Sequence, residues 1–340
     1  MKQKIVLTSV LLVFFSLSLT AGARRDQSAS PQNTSVQTVK PQAVKASALN
    51  GPSGVGMVYL FEGEQSIEGV PLHMEISATP DVLLPKLLKG ELDMGILPAN
   101  AAAKVYTKNN GAVIMGAVVG NGMLNLITED TSITAFEDLK GKTVSVAGQG
   151  STPDYMIRYL AEKSGIEVNT SSADSITLDF SIPTAEIAAA LISGKIAYAF
   201  VPEPFATVAQ LNKTSIRRAF DVQKLYAQYS GNAETYPMTV LVVRKEFAEQ
   251  YPQFVSLFLE QYRLSIEKVN ADPQKAGELV EKYSLGLKAP IVAKSVPNSA
   301  FAYTRGLEAK EQVEALLSIF MQFAPESIGG ALPDEGFYFK

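Results

Sequence analysis

Shifting the chain by 104 residues lays Leu88-Lys89-Gly90-Glu91-Leu92-Asp93-Met94-Gly95-Ile96-Leu97-Pro98 over Ile192-Ser193-Gly194-Lys195-Ile196-Ala197-Tyr198-Ala199-Phe200-Val201-Pro202. Each copy reads as the end of a helix stopped by glycine, a tight turn, an apolar run of strand length, and a proline that opens a loop. Gly90 and Gly194 suit the left-handed conformation that commonly ends a helix. A second pair lies upstream of the first: Val44–Asn50 runs into Gly51-Pro52-Ser53-Gly54, and Lys142–Ala147 runs into Gly148-Gln149-Gly150-Ser151. Two repeats in the same order predict two similar lobes.

Around these repeats, strand-like and helical runs alternate. Val44–Leu49, Leu72–Ala78, Asp93–Leu97, Ala112–Val118, Thr143–Ala147, Ile176–Phe180 and Ala197–Val201 read as strands. Asp81–Lys89, Ala99–Lys108, Pro153–Lys163, Thr184–Ser193 and Phe205–Leu211 read as the helices between them. Such alternation argues for mainly parallel sheets covered by helices on both faces, an α/β class. From Lys245 onward the chain reads as largely helical, with helices expected over Phe247–Val269, Pro273–Tyr283 and Glu308–Phe323.

The first 22 residues read as a secretory signal peptide. Lys2 and Lys4 precede an apolar stretch from Ile5 to Thr20, and small residues follow at Ala21-Gly22-Ala23. The apolar run is short against the roughly 20 residues that a bilayer core requires. Leu19-Thr20-Ala21-Gly22 also has the shape of the approach to a lipoprotein cleavage site, but position 23 is alanine and the chain has no cysteine. The expectation is an exported protein, either released or held at the outer face of the membrane by a lipid. Residues 23–43, rich in Ser, Gln, Thr and Pro, read as a flexible linker.

Composition narrows the chemistry. Losing residues 1–22 removes two lysines and no acid, so the net charge moves from −4 to −6. A mildly acidic chain with scattered basic residues carries no electrostatic footprint for nucleic acid. Without cysteine there is no disulfide or thiolate chemistry, and the single histidine, His73, rules out a multi-histidine metal site. His73 alternates with Leu72 and Met74 and reads as an outward or seam residue of a strand. No Gly-x-Ser-x-Gly elbow occurs, and no metal, cofactor or catalytic group is expected.

In parallel α/β sheets, ligands gather beyond the carboxyl ends of the strands. The repeated loops leave such ends, so two facing lobes would aim them into one cleft. The strongest local signal is Gly148-Gln149-Gly150-Ser151-Thr152-Pro153-Asp154: glycines for close backbone approach, Ser151 or Thr152 to cap, Pro153 for the first helical turn, and Asp154 for the positive helix end. It is no dinucleotide fingerprint, because the third glycine would fall at Pro153. Gly141-Lys142-Thr143 imitates a phosphate loop, but Phe136 stands where that loop needs glycine. The candidate ligand residues are therefore Gly51, Pro52, Ser53 and Gly54 in the first copy, and Gln149, Gly150, Ser151 and Thr152 in the second. Glu203 is added as an acceptor for a ligand N–H and Phe205 as an apolar wall, with Thr79, Asn100, Asn121 and Tyr236 on the same topological grounds.

These segments resemble solute-binding proteins of ABC importers, in the nitrate/sulfonate/taurine and thiamine-precursor (NMT1/THI5-like) branch. The likeness is carried by Gly51-Pro52-Ser53-Gly54-Val55-Gly56, Leu87-Leu88-Lys89-Gly90-Glu91-Leu92-Asp93, Phe136-Glu137-Asp138-Leu139-Lys140-Gly141-Lys142-Thr143 and Gly148-Gln149-Gly150-Ser151-Thr152-Pro153. It continues through Val201-Pro202-Glu203-Pro204-Phe205-Ala206 and Ile328-Gly329-Gly330-Ala331-Leu332-Pro333, so it covers about residues 44–340. The resemblance implies a type II periplasmic-binding fold. Residues 44–120 and 241–340 would form one lobe and 121–240 the other, with crossover strands near Asn121–Thr128 and Tyr236–Val243. It implies a small-molecule solute, a monomer, and delivery to a permease driven by an ATPase on separate chains. The proposed loops depart from the sulfonate pattern in having no arginine, which favours a neutral or aromatic solute such as a pyrimidine-like precursor. Two other readings stay open: an enzyme of the same fold in pyrimidine or thiamine-precursor biosynthesis, and a ligand-sensing surface lipoprotein.

Overall fold

Uninterrupted apolar runs such as Val113–Val119 can be buried on both faces only at the centre of a sheet covered by helices. The computed structural model, which describes residues 39–63, 65–231 and 235–340, uses them in this way. The proposed signal peptide and most of the linker lie outside the described residues. Among those described, no helix is long and apolar enough to cross a membrane.

Among the described residues, twelve strands make two sheets. The larger contains β1 (Val44–Leu49), β2 (Ser66–Ile67), β3 (Val70–Ser77), β4 (Met94–Pro98), β5 (Val113–Asn121), β11 (Pro237–Arg244) and β12 (Thr304–Arg305), in the order β12-β5-β11-β4-β1-β3-β2. The smaller contains β6 (Leu124–Thr128), β7 (Thr143–Val146), β8 (Thr177–Asp179), β9 (Tyr198–Pro202) and β10 (Arg217–Arg218), in the order β10-β6-β9-β7-β8. Each sheet has a parallel triplet, β3-β1-β4 in one and β8-β7-β9 in the other, continued by an antiparallel strand.

The sequence repeat has a structural counterpart in this pairing. Ser47 of β1 pairs with Gly95 of β4, and Ser145 of β7 pairs with Ala199 of β9, so the two repeats meet in the same way in each sheet, although Gly95 and Ala199 stand 104 residues apart and the two serines 98. Both serines are buried and reach the next strand: Ser47 Oγ lies 2.8 Å from Ser77 Oγ, and Ser145 Oγ donates to Asp179 Oδ2 at 3.2 Å. Gly90 and Gly194, with φ of 73° and 76°, each follow a helix in left-handed conformation.

Among the described residues, twelve α-helices cover the sheets. The first seven are α1 (Pro52–Val55), α2 (Pro80–Leu88), α3 (Ala99–Lys108), α4 (Thr152–Lys163), α5 (Thr184–Ile192), α6 (Phe205–Asn212) and α7 (Val222–Ser230). After β11 come α8 (Lys245–Gln250), α9 (Pro252–Ala271), α10 (Pro273–Lys282), α11 (Ala289–Ser295) and α12 (Lys310–Phe323). The helix expected over Phe247–Val269 is two helices. Tyr251, at φ −130° and ψ 50°, is held out of helical geometry by the proline that follows it, and Pro252 opens α9.

The chain leaves the larger sheet at Asn121 and enters the smaller at Leu124, so Gly122-Met123 alone makes the first passage. The second expected crossover strand, Tyr236–Val243, instead lies in the larger sheet, where β11 fits between β4 and β5 with Pro237 opposite Asn121. The two passages therefore run side by side. His73 is exposed on β3.

Candidate functional site

Helices that begin just after a parallel strand bring their first turns to one edge of the sheet. In this molecule α1, α2 and α3 follow β1, β3 and β4, while α4, α5 and α6 follow β7, β8 and β9. A cavity of about 420 Å³ lies where these loops meet. The larger sheet contributes Ser53, Pro80, Pro98, Asn100 and Ala101 to its lining; the smaller contributes Ala147, Gly148, Gly150, Ser151, Thr152, Pro153, Thr184 and Pro202. Met238 and Thr239 of β11 complete the wall. Thr239 lies opposite Pro98 in the antiparallel ladder, which brings the first residues of β11 to the carboxyl end of β4.

Five of the expected residues, Ser53, Asn100, Gly150, Ser151 and Thr152, line this cavity together. Thr152 is buried in the first turn of α4. Ser151 is turned back on its own loop, donating from Oγ to the Gly148 carbonyl at 2.5 Å and to the Ala147 carbonyl at 3.3 Å, so it meets a guest as an acceptor. Asp154, in the first turn of α4, is engaged on both oxygens: Oδ2 accepts from the Gly150 N–H at 2.9 Å and Oδ1 from Arg158 Nε at 2.6 Å, which sets a negative charge beside the positive helix end.

The other nine expected residues are not in the lining. Glu203 is fully buried under the smaller sheet, where it pairs with Arg218 Nη2 and accepts from the Thr207 N–H at 3.2 Å. Its carboxylate has no exposed surface and does not line the cleft. Phe205 packs against the core around Ile187 and Ala206. Tyr236 is also fully buried: its ring lies 4.9 Å from that of Tyr226, and its hydroxyl donates to Gln223 Oε1 at 3.0 Å. Asn121 ends β5, with its N–H bonded to the Ala300 carbonyl at 3.0 Å and its Oδ1 sealed without a partner.

Gly54 is a packing glycine, since a Cβ there would stand 2.1 Å from the Leu49 carbonyl oxygen. Gly51 donates its N–H to the Leu285 carbonyl at 2.8 Å, and Pro52 is the first residue of α1. Thr79 and Gln149 are exposed beside the cleft loops. Sequence reasoning left ten of the lining residues off its candidates, among them the side chains of Pro80, Thr184, Met238 and Thr239. The first two sit where a strand end meets a helix start, so the same rule could have found them. Nothing in a single sequence says that an antiparallel strand enters the site by its other end.

What this arrangement can do chemically is limited and clear. Among the described residues the lining offers hydroxyls, one carboxamide and backbone groups, with no carboxylate, amine, guanidinium or imidazole. Such a surface binds by hydrogen bonds and shape. Among the described residues no group of three or more His, Asp or Glu is placed to hold a metal ion.

Two α/β sheets with a cleft at their facing loops define a type II periplasmic-binding fold, and solved structures share it. An ABC transporter protein from Parabacteroides distasonis matches at 24% identity with a TM-score of 0.75, covering 88% of this chain and 99% of that one. The periplasmic aliphatic sulphonate binding protein SsuA from Escherichia coli matches at 16% identity and a TM-score of 0.68, over 88% and 93% of the two chains. The periplasmic nitrate-binding protein NrtA from Synechocystis matches at 13% and 0.58, over 83% and 82%. Residues 60–282 match the family model described as the NMT1-like family, and the chain belongs to that family. A search of curated proteins returns no match.

Proposed function

We propose that this chain is the exported, monomeric solute-binding component of an ABC importer, which captures a small organic molecule between its lobes and hands it to a membrane permease. The observation that carries the reading is the cleft: about 420 Å³, walled by strand-end loops of both sheets, with no ionisable side chain in its lining. That supports a receptor rather than an enzyme, since acid–base catalysis needs a titratable group within hydrogen-bond reach of the reacting atom. The names of its structural relatives, an ABC transporter protein and binding proteins for aliphatic sulphonate and nitrate, support the same role.

In this reading residues 1–22 direct export and 23–43 form a linker, with or without a lipid anchor. The adjacent passages at Gly122-Met123 and Thr235-Tyr236 act as the hinge. The lobe boundaries expected at 120/121 and 240/241 move to these passages, because β5 and β11 belong wholly to the larger sheet: one lobe is built on that sheet and the other on the smaller. A guest that touches both lobes favours the closed form by its differential contacts, and the permease reads closure.

A thermal-shift screen of neutral and anionic solutes tests the proposal. A ligand at a hundredfold over its dissociation constant should stabilise the fold by about 2.7 kcal/mol. Thr239→Trp and Asn100→Trp, which fill the cleft from two sides, should each remove that shift. A stabilising ligand whose effect survives both substitutions would place binding elsewhere and overturn the reading.

A further inference from the structure

The cleft does not end at the cavity between the loops. Pro80, Asn100, Ala101 and Gly150 line both it and a second space of about 490 Å³, so the two adjoin as an inner and an outer compartment. The outer compartment runs along α2 and α3 to the segment after α12. Leu84, Leu97, Val105 and Tyr155 give it apolar walls, and burial pushes the Tyr155 phenol up, which keeps it a neutral hydroxyl. Asp81, Lys104 and Glu326 also border it, and all three are exposed, so charge is confined to its rim.

The inner compartment is different. Its lining has no ionisable side chain, and the nearest acid, Asp154 in the first turn of α4, sets a carboxylate against the Gly150 N–H of the lining loop. An ionic head placed there would lose its water without gaining a counter-charge, which is costly; a neutral hydrogen-bonding head loses little. Apolar walls reward a tail that leaves water. The two spaces together match the size of cavities that hold drug-sized molecules, far more than a small inorganic anion fills.

We infer that the guest is an elongated, uncharged amphiphile, with an amide-like head in the inner compartment and an apolar or aromatic tail in the outer one. The inference rests on the solute-binding role proposed above and adds the chemical class of the solute.

Calorimetric titration of the mature chain with three probes tests it: 4-phenylbutanamide, acetamide, and 4-phenylbutane-1-sulfonate. The phenylbutanamide should bind at least tenfold more tightly than either of the others. Leu84→Trp and Ala324→Trp, two separate plugs of the outer compartment, should each bring it to the level of acetamide, with melting temperature reporting that the variants fold. Equal or tighter binding of the sulfonate, no gain from the phenyl group, or no measurable binding of the amide would overturn the inference. If Thr239→Trp abolishes solute binding while both outer plugs leave it intact, the two-compartment idea falls and the receptor role stands. Binding that survives every plug removes both.

Discussion

Arg218 of β10 closes on Glu203 at the end of β9, in an ion pair whose carboxylate is fully buried while the guanidinium side chain keeps 26% of its exposure. Asn125, Gln210 and Thr207 take further guanidinium hydrogen bonds. Breaking one side of such a pair strands the other in a poorly solvated place. Glu203→Ala should therefore destabilise the protein by about 3 kcal/mol, at the lower end for buried pairs because Arg218 still reaches water. Urea denaturation of the apo protein reads this directly. A normal midpoint combined with weakened solute binding would return Glu203 to the cleft.

Tyr236 ties the two passages together. Its hydroxyl donates to Gln223 Oε1, and Gln223 Nε2 donates to the Leu124 carbonyl at 3.3 Å. Tyr236→Phe leaves the packing and removes one buried hydrogen bond, so a loss of about 1 kcal/mol in unfolding free energy is expected. Denaturant melts of the variant and of Gln223→Leu should show partly overlapping losses, because both cut one relay. Fully additive losses would mean that the relay does not exist in solution.

Gly54→Ala places a methyl 2.1 Å from the Leu49 carbonyl oxygen and 2.9 Å from Leu285 Cδ2. Neither the strand backbone nor the packed leucine can yield cheaply, so about 2 kcal/mol of destabilisation is expected, as for other overpacked cores. A melting temperature within a degree of wild type would contradict this close approach.

Asp130 gives a pH dependence. Hydrogen bonds from the Ser132 hydroxyl at 2.6 Å, from Tyr198 at 2.7 Å and from the Ser132 N–H at 2.9 Å hold its carboxyl down at about 2. A carboxyl lower in the folded than in the unfolded chain adds stability above its ordinary value of 3.8, and that stability disappears as pH falls towards the folded value. Asp130→Asn should thus melt below wild type at pH 7, and the gap should close between about pH 4 and pH 2. A gap that stays constant across that range would show that the carboxylate is not involved.

The sheets and most helices were readable from sequence because their signals are local. The helix expected over Ala99–Lys108 has those bounds in the structure. The loops at Ser53 and Gly150–Thr152 were placed in the cleft by a rule about strand ends, which depends on topology alone. The same rule misplaced Glu203 and Tyr236, because it locates a backbone and says nothing of where a side chain turns. Glu203 turns inward because Arg218, fifteen residues later, supplies its counter-charge. Met238 and Thr239 escaped notice because β11 runs against its neighbours.

The central place of β11 has a consequence for how the polypeptide is made. A ribosome releases β4 and β5 well before β11, which must later slide into the gap between them. Until residue 244 emerges, both strands present unsatisfied backbone flanks, the kind of exposure that invites aggregation. The strands of the smaller sheet are all contained within residues 124–218. The half built on the smaller sheet can thus mature first, while the half built on the larger sheet waits for the final third of the translation product.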